Sequence, residues 1–461
     1  MDNRLGAVRR AAARAAPAAL DDLESWLRIP SVSGSPEVGR AVAWVSSRLS
    51  RSGADVRRLP GPVVVARTPG QGGATTVVYG HLDVKPPGPG WTSPPFRPTR
   101  RGHRLVARGA SDDKGQLMSH LVALEAWARA GGPPGDVITI VDGAEEVGSP
   151  GLPAALQRAR LSGPVSAVVV VDTRAAGPGR PTVTLTQRGA VPVHLTVDVG
   201  GRPVHAGRLG GAVVDPSLVL AAILDRASRW LVTLPTPPPP HPTEPTLGAM
   251  RAAAGRRAVL ADPVRGATRA GAITVNRLAA RAAAGAVPTR ADAWTDVRVP
   301  PGLDPAHVVR RLRRELRRGL PPGVTLTLAA GPGGAGMVLA PPGRVRGAVD
   351  EACRAAYGRA AVSAASGGSI RAAEVLRDVF GQAPVLLGLG PADDGAHGPD
   401  EYLDLREWPA QVDVHTILLA RLAATRTPRS GQRSGPSTSV TVQRPAASWG
   451  SESALQLSGV T

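Results

Sequence analysis

The fold class is decided by the stretch Thr75–Asp83, which reads TTVVYGHLD. Its first part is β-branched and aromatic and predicts a buried strand, and the polar residues His81 and Asp83 follow directly. Three further runs also predict buried strands that are followed by polar residues: 137–141, 165–171 and 385–389. Because these runs alternate with longer helical patterns, the sequence predicts an α/β fold with a mostly parallel central sheet flanked by helices.

Side chains that could bind a metal ion follow these predicted strands or lie between them. They are His81, Asp83, Asp112, Asp113, Glu145, Glu146, Asp172 and His397. Open α/β sheets bind ligands beyond the carboxyl ends of their strands, so we expect these side chains to lie close together. Histidine with carboxylates and no thiolate is a ligand set suited to zinc, cobalt or manganese. The abundance of carboxylates favours two metal ions, because a bridging carboxylate must help to neutralise two cations.

Two short motifs within this set indicate what the site could do. In His81-Leu82-Asp83 the first and third side chains lie on the same side of an extended segment, so Asp83 can orient the His81 ring. The pair Glu145-Glu146 offers one carboxylate to a metal ion and one to a water molecule as a general base. Each motif alone is often a chance occurrence, but their order and their placement at strand ends favour hydrolytic metal chemistry.

The length of 461 residues allows more than one domain. Beyond about residue 187 the α/β pattern is interrupted by an alternating strand, a helix and a long Pro/Ala-rich stretch. We expect a smaller α+β domain at 188–303, inserted between two parts of the larger domain at 1–187 and 304–425. Residues 426–461 are Ser, Thr, Arg, Pro and Gly without periodicity, and this composition predicts a disordered tail.

Composition bears on the class of partner and on the location. The net charge of +19 would suit an anionic partner, but the only lysines are Lys85 and Lys114, and the rest of the basic charge is arginine spread over the chain. Aromatic residues make up 3%, too few for a base-stacking surface, so a non-catalytic basic binding protein is the disfavoured alternative and we expect no nucleic-acid partner. No apolar run approaches the roughly 18 residues of a membrane helix. With no signal-peptide pattern and a single cysteine, Cys353, the sequence predicts a cytoplasmic protein without a membrane partner.

Seven short strings make the sequence similar to the dinuclear zinc exopeptidase and deacylase family. That family contains carboxypeptidase G, succinyl-diaminopimelate desuccinylase, acetylornithine deacetylase, aminoacylase and the carnosinase-type dipeptidases. The strings occur in family order over about residues 20–424: Gly80–Val84, Gly90–Phe96, Arg108–Gly115, Gly143–Ser149, Val204–Gly207, Gly367–Ser369 and Ala392–His397. The second and the last most resemble the dipeptidase branch.

The resemblance implies a set of five metal ligands. His81 and Asp172 would hold one zinc ion, and Glu146 and His397 would hold the other. Asp112 would bridge the two ions.

The resemblance also implies roles for residues around the metal ions. Asp83 would orient His81, Glu145 would be the general base that activates a water molecule bound between the ions, and His205 would stabilise the oxyanion in the partner subunit's active site. The terminal carboxylate of the substrate would be bound by Arg298, Gly368 and Ser369.

The implied function is that of a metallopeptidase of the dipeptidase or exopeptidase type. It would cleave the amide bond of dipeptides or short peptides with a free carboxylate, and the alternative is an N-acyl amino-acid deacylase or related amidohydrolase. The inserted domain would be a lid and dimerisation module in a homodimer. Four departures from the family pattern lie in the substrate-binding region and predict altered specificity: Gly285, Ala365, Ser366 and Arg371.

Overall fold

A computed structural model of the chain describes residues 2–161, 164–236, 238 and 262–424. The predicted disordered tail at 426–461 lies outside the described residues. The helices of the described ranges are α1 (Asp2–Leu27), α2 (Glu37–Arg51), α3 (Lys114–Arg129), α4 (Leu152–Ala159), α5 (Ala206–Leu209), α6 (Pro216–Val232), α7 (Pro263–Thr268), α8 (Pro305–Leu316), α9 (Gly343–Tyr357), α10 (Arg371–Phe380) and α11 (Trp408–Ala423), with a single 3₁₀ turn at Glu145–Val147.

The strands of the same ranges form a large sheet and three smaller ones. In chain order they are β1 (Asp55–Leu59), β2 (Val63–Thr68), β3 (Gly73–His81), β4 (Thr99–Arg101), β5 (Arg104–Val106), β6 (Gly135–Asp142), β7 (Val165–Arg174), β8 (Thr182–Gln187), β9 (Gly189–Asp198), β10 (Val204–His205), β11 (Ala272–Ala280), β12 (Ala286–Val287), β13 (Arg290–Val299), β14 (Thr325–Ala330), β15 (Met337–Val338), β16 (Val362–Ser366), β17 (Val385–Gly390) and β18 (Tyr402–Asp404).

The large sheet has the strand order β1-β2-β6-β3-β7-β17-β8-β15, with β16 pairing β8. Its central strands β6, β3, β7 and β17 run parallel, whereas antiparallel pairings join β2 to β6 and β1 on one side and β8 to β17 and β15 on the other. The four sequence runs that predicted buried strands are these central strands. The expected α/β fold with a mostly parallel central sheet is therefore confirmed.

Helices cover both faces of this sheet. One apolar cluster joins it to α1, α2, α3, α9 and α11, and a second cluster joins its other face to α4 and α10. Trp26, Trp127 and Trp408 are fully buried in the first cluster. Burying a large apolar side chain stabilises a fold by about 1.5–3 kcal/mol, so the two covered faces hold the strand ends firmly in place.

The first helix, α1, carries large apolar residues in its last part, Leu20–Leu27, but extends far beyond it. It begins at Asp2 and buries Leu5, Val8, Ala12 and Ala16, which recur every three or four residues on one face. Two of these side chains are alanines, which carry a weak apolar signal in sequence although they pack closely. Nowhere in the described ranges does a helix have the length and apolar character needed to cross a membrane.

A second, wholly antiparallel sheet has the strand order β11-β13-β9-β14 and forms its own apolar cluster with α6 and α8. Leu328 of β14 lies opposite Leu195 of β9, and Leu312 of α8 is buried in the same cluster. The packed layer therefore continues to about residue 330, past the expected boundary at 303. The apolar residues of α8 lie on one face of the helix, which is typical of a packed helix but does not show which sheet that face covers.

The chain crosses between the two sheets at two neighbouring places. It leaves the large sheet at Gln187–Gly189 and returns at 331–336, where Ala190 and Gly334 form an antiparallel bridge with N–O distances of 3.1 and 3.0 Å. A Cβ atom on Gly189 would lie 2.6 Å from the carbonyl oxygen of Gly334. Only glycine allows the two crossing segments to approach so closely.

A pair of buried histidines predicts an acid-sensitive core. His120 of α3 and His415 of α11 meet edge to face with ring centroids 5.5 Å apart, and both rings are buried. Burial lowers the pKa of His415 to about 3, and burial followed by the charge of His415 lowers the pKa of His120. Because the unfolded chain takes up these protons near pH 6.5 and the folded chain does not, stability falls below that pH by about 1.4 kcal/mol per unit for each histidine.

We expect His415→Gln to reduce this acid-induced loss of stability. Between pH 6.5 and 5 the variant should lose about 2 kcal/mol less unfolding free energy than the wild type, because one proton-binding difference is removed. Urea unfolding at the two pH values measures the difference. His307→Gln, at an exposed position, is the control. An unchanged pH dependence in His415→Gln would contradict the prediction.

Candidate metal centre

The residues predicted as ligands lie along the carboxyl edge of the large sheet. His81 ends β3, Asp172 lies near the end of β7, Glu146 lies in the 3₁₀ turn after β6, and His397 lies in the loop after β17. These four strands are parallel neighbours, so their carboxyl ends share one edge. Asp112 reaches the same place from the loop that precedes α3.

Asp112 stands between the two histidines. Its Oδ1 lies 2.9 Å from Nε2 of His81, and its Oδ2 lies 3.2 Å from Nε2 of His397. On the first side, Oδ1 of Asp172 is 3.7 Å from the same His81 nitrogen, and on the second side Oε2 of Glu146 is 3.2 Å from the His397 nitrogen. The structure thus brings all five predicted ligands together as two groups of three that share Asp112. Their role as ligands stays a prediction.

The donor set fits two divalent cations. Within each group, ligand atoms of the three side chains all lie within 4.8 Å of one another, and imidazole nitrogen with carboxylate oxygen is a common zinc environment. Burial opposes protonation of His81, yet Asp172 and Asp112 raise its pKa well above the usual range. Asp112 and Glu146 raise the pKa of His397 to about 10. Both shifts reflect an excess of negative charge, which bound cations would neutralise.

The carboxylate of Asp83 connects the end of β3 to the Glu145-Glu146 turn. It is fully buried and accepts hydrogen bonds from the backbone N–H groups of Glu145 at 3.0 Å and Glu146 at 3.2 Å, and from the Ser33 hydroxyl at 2.6 Å. Nδ1 of His81 lies closer to the Asp83 carbonyl oxygen, at 3.0 Å, than to its carboxylate, at 3.5 Å. Asp83 therefore contacts the ring chiefly through its main chain, because its carboxylate is occupied by the turn.

Glu145, the predicted general base, lies half-buried at the same edge. Burial, followed by the negative charge of Asp172, raises the pKa of its carboxyl well above the usual range. Two bound cations would lower this pKa again, since opposite charge favours the ionised form. The role of Glu145 as the general base stays a prediction.

Two buried acids that the sequence did not single out hold the Asp112 loop in place. Glu401 is fully buried and accepts from the backbone N–H groups of Ser111 at 2.9 Å and Asp112 at 3.0 Å, and from the Arg108 guanidinium at 2.6 Å. Asp394 accepts from the Ser111 hydroxyl at 2.7 Å. Asp394 belongs to the string that contains His397, which was a signal, whereas no spacing links Glu401 to the loop near residue 112.

His397 itself has a left-handed backbone, with φ of 63°. Non-glycine residues with such angles are uncommon and tend to occur at functional sites. The backbone N–H of the preceding Ala396 is held by Asp394 at 3.0 Å, so the same acid supports both the His397 loop and the Ser111 hydroxyl.

The other predicted site residues lie outside the ligand cluster. His205 in β10 is exposed, and its Nδ1 accepts from the Gly207 N–H at 3.0 Å. Arg298 in β13 forms an ion pair with Asp296 at 2.7 Å, and the Gly368 N–H donates to the Ser366 hydroxyl at 3.0 Å. None of the four residues His205, Arg298, Gly368 and Ser369 bonds to the five ligands within the described ranges. Their roles stay predictions.

Fold and site together define an α/β chain with a candidate two-metal centre at the carboxyl edge of its sheet. The sequence model of peptidase family M20/M25/M40 matches residues 77–421, which is most of the chain. The chain therefore belongs to this peptidase family, and the family resemblance deduced from the seven strings is confirmed.

Individual relatives are similar over shorter stretches. A cysteinylglycine-S-conjugate dipeptidase of Corynebacterium striatum is 31% identical over 193 residues, which are 40% of this chain and 42% of the relative. A succinyl-diaminopimelate desuccinylase of Rhizorhabdus wittichii is 39% identical over 134 residues, 28% of this chain and 34% of the relative. Each match thus spans less than half the length of the curated relative. The solved structure of the di-peptidase Dug1p from Saccharomyces cerevisiae has the same fold, with a TM-score of 0.79, 23% identity, and coverage of 93% of this chain and 100% of the other.

Proposed function

We propose that this chain is a metal-dependent peptidase that hydrolyses the amide bond of dipeptides or short peptides with a free carboxylate. The observation that carries the proposal is the position of Asp112, whose two oxygens face His81 and His397 and join two metal-binding groups. The dipeptidase names of the Corynebacterium relative and the yeast neighbour support the choice of substrate. Zinc is the ion we propose, and cobalt and manganese suit the same ligands.

We propose that Glu145 transfers the proton in this reaction. When bound, two divalent ions would polarise the substrate carbonyl and acidify a water molecule. Glu145 would accept the proton of the attacking water and pass it to the leaving amine, as general acid–base catalysis requires. Asp83 would keep the base in position, because its buried carboxylate holds the backbone N–H of Glu145 at 3.0 Å.

Substrate binding would use the residues that the resemblance implied. Arg298 would form a charge-assisted pair with the terminal carboxylate, and Gly368 and Ser369 would donate hydrogen bonds to it. The free carboxylate would then distinguish exopeptidase substrates from internal peptide bonds. Ala365 and Ser366 lie beside these residues and would adjust which side chains the site accepts.

A substrate panel tests the proposal. Dipeptides, their C-terminal amides and N-acyl amino acids should be assayed with zinc, cobalt and manganese, and free dipeptides are expected to be cleaved fastest. Faster cleavage of N-acyl amino acids would favour the deacylase alternative, which the match to the desuccinylase supports. No turnover of any amide by fully metal-loaded protein would contradict both, and salt-dependent nucleic-acid binding without bound metal would favour the non-catalytic alternative.

We also propose a cytoplasmic homodimer in which His205 serves the site of the partner subunit. His205 is exposed in β10 and lies outside the ligand cluster of its own chain, which supports this role. His205→Ala is expected to lower kcat by about 10²–10³-fold, the usual effect of removing an oxyanion donor, with unchanged thermal unfolding. The exposed His103→Ala is the control.

Mixing two inactive variants tests whether His205 acts in its own active site or in that of the partner subunit. A heterodimer of His205→Ala and Glu145→Gln chains holds one site with an intact base and an intact partner histidine. Equal mixing of the inactive variants should therefore restore about a quarter of the wild-type activity, since half the dimers are mixed and each has one working site. No restoration, or a monomer in sedimentation, would refute the cross-subunit role.

A further inference from the structure

Arg188 occupies the place where the chain leaves the large sheet for the second one. It lies between β8 and β9 and is 9% exposed. Its Nη1 donates to the carbonyl oxygens of Gly266 at 2.9 Å and Ala270 at 3.2 Å, next to the second sheet, and its Nε donates to that of Gly367 at 3.3 Å. One side chain thus bonds to backbone from both parts of the chain.

The positive charge of the Arg188 guanidinium is buried among backbone carbonyl groups. Its bonds go to carbonyl oxygens, and no carboxylate lies within 4.0 Å of it among the residues that the structure describes. Burial, and then the positive charge of Arg298, lower the pKa of Arg188 to about 10, while the negative charge of Asp296 partly opposes them. A buried cation without a carboxylate at hydrogen-bonding distance is costly, so the three carbonyl contacts are what stabilise it at this position.

Backbone packing at the same point is equally close. A Cβ atom on Gly367 would lie 1.9 Å from the carbonyl oxygen of Ala267 and 3.0 Å from Nη2 of Arg188. The loop Gly367–Ser369 and the segment 266–270 are therefore in direct contact, which only glycine at 367 allows. Any side chain there would push the two backbones apart.

The contacts place Arg188 between the two halves of the proposed carboxylate site. Gly368 and Ser369 directly follow Gly367, whose carbonyl it holds. Ala190 follows Arg188 by two residues, and it lies opposite Arg298 where β9 pairs with β13. The loop belongs with the large sheet and Arg298 with the second sheet, so their separation depends on how the two parts of the chain meet.

We infer that Arg188 is a positioning residue that holds the loop Gly367–Ser369 against residues 266–270 and so sets the spacing of Arg298 from Ser369. This inference rests on the proposed function, because it gives Arg298 and Ser369 the terminal carboxylate of the substrate. A planar guanidinium suits the task, since its fixed fork of donors can serve several carbonyl groups at once, whereas an ammonium group cannot hold that geometry.

The test compares the fastest dipeptide of the panel with its C-terminal amide. Arg188→Met is expected to raise KM for the free dipeptide by about tenfold, equivalent to roughly 1.4 kcal/mol, with kcat nearly unchanged. KM for the amide should change little, so the preference for a free carboxylate should fall by about the same factor. A general loss of structure would lower kcat/KM for both substrates alike.

Hydrogen–deuterium exchange supplies a readout that does not depend on activity. In Arg188→Met, backbone amides near 367–369 and 266–270 should exchange faster together, because one side chain restrains both segments. Arg188→Lys, which keeps the charge, should show the same changes more weakly. Arg313→Met is the matched control, since Arg313 of α8 donates to the Leu328 carbonyl of β14 at 3.0 Å, a contact that does not reach the large sheet, and it should match the wild type.

Each of the following results supports or overturns the positioning role of Arg188. If Arg188→Lys keeps the wild-type KM, the preference for a free carboxylate and the rates of amide exchange, then charge alone suffices. That result would overturn the positioning role. Faster exchange in only one segment would also overturn it. If Arg188→Met does not fold, Arg188→Lys and Gly367→Ala carry the test. If the wild type cleaves no dipeptide, the proposed function fails, and the exchange data still decide the role of Arg188.

Discussion

Glu145→Gln is expected to abolish turnover while both metal ions remain bound. The amide has the shape of the carboxylate but cannot accept a proton from water. Loss of a general base lowers kcat by about 10²–10⁴-fold. Metal content should stay near that of the wild type, because Glu145 belongs to neither of the two ligand groups. Steady-state kinetics and elemental analysis of the same protein samples measure both effects.

Two further variants show whether the loss of turnover with retained metal is specific to Glu145. Glu146→Gln alters a member of the second ligand group, so it should lower metal content as well as activity. Glu37→Gln, on α2 and in an ion pair with the exposed Arg40, should leave both unchanged. Turnover retained by Glu145→Gln with full metal content would refute the assignment of the base.

Asp112→Asn is expected to lose at least one of the two metal ions and most of the activity. Each Asp112 oxygen faces one histidine, and an amide offers only one oxygen to a cation. A metal ion contributes several kcal/mol to such hydrolyses, so kcat should fall at least about a thousandfold. Metal per chain, measured by mass spectrometry after dialysis, should fall below two.

The neighbouring acid provides a close control. A carboxylate oxygen of Asp113 accepts a hydrogen bond from the backbone N–H of His81 at 3.1 Å. Burial, followed by the negative charge of Asp172, raises the pKa of the Asp113 carboxyl well above the usual range. Asp113→Asn can keep that hydrogen bond and should therefore keep both ions. Asp112→Asn with two ions bound would show that the carboxylate is not shared.

The clustering of the candidate metal ligands was largely predictable from the sequence because their placement follows from the fold class. Once four apolar runs are recognised as parallel strands, the residues after them must meet at one edge. His81, Glu146, Asp172 and His397 satisfy this rule directly. Asp112 does not follow a strand of the large sheet, and its role as the bridging ligand was implied only by its place in a recognisable string.

Support for the site was harder to predict because it depends on long-range contacts without a local pattern. Glu401 bonds to the loop at residue 112 across a separation of 289 residues. The extent of the second layer is hard to predict for a similar reason, since the amphipathic pattern of α8 shows that one face is buried but not what covers it. The alanine-rich first part of α1 gives little sequence signal, because small side chains offer little apolar contrast.

Because Glu401 anchors the Asp112 loop, the loop cannot be fixed in place until Glu401 has been synthesised. Ribosomes release the chain from its amino end, so Arg108 and Asp112 emerge long before the acid that fixes them. Asp394 and His397, which complete the cluster, also emerge late. A nascent chain therefore cannot bring the five candidate ligands together until nearly all of the described residues have been made, and a metal ion that needs all of them would bind late in maturation.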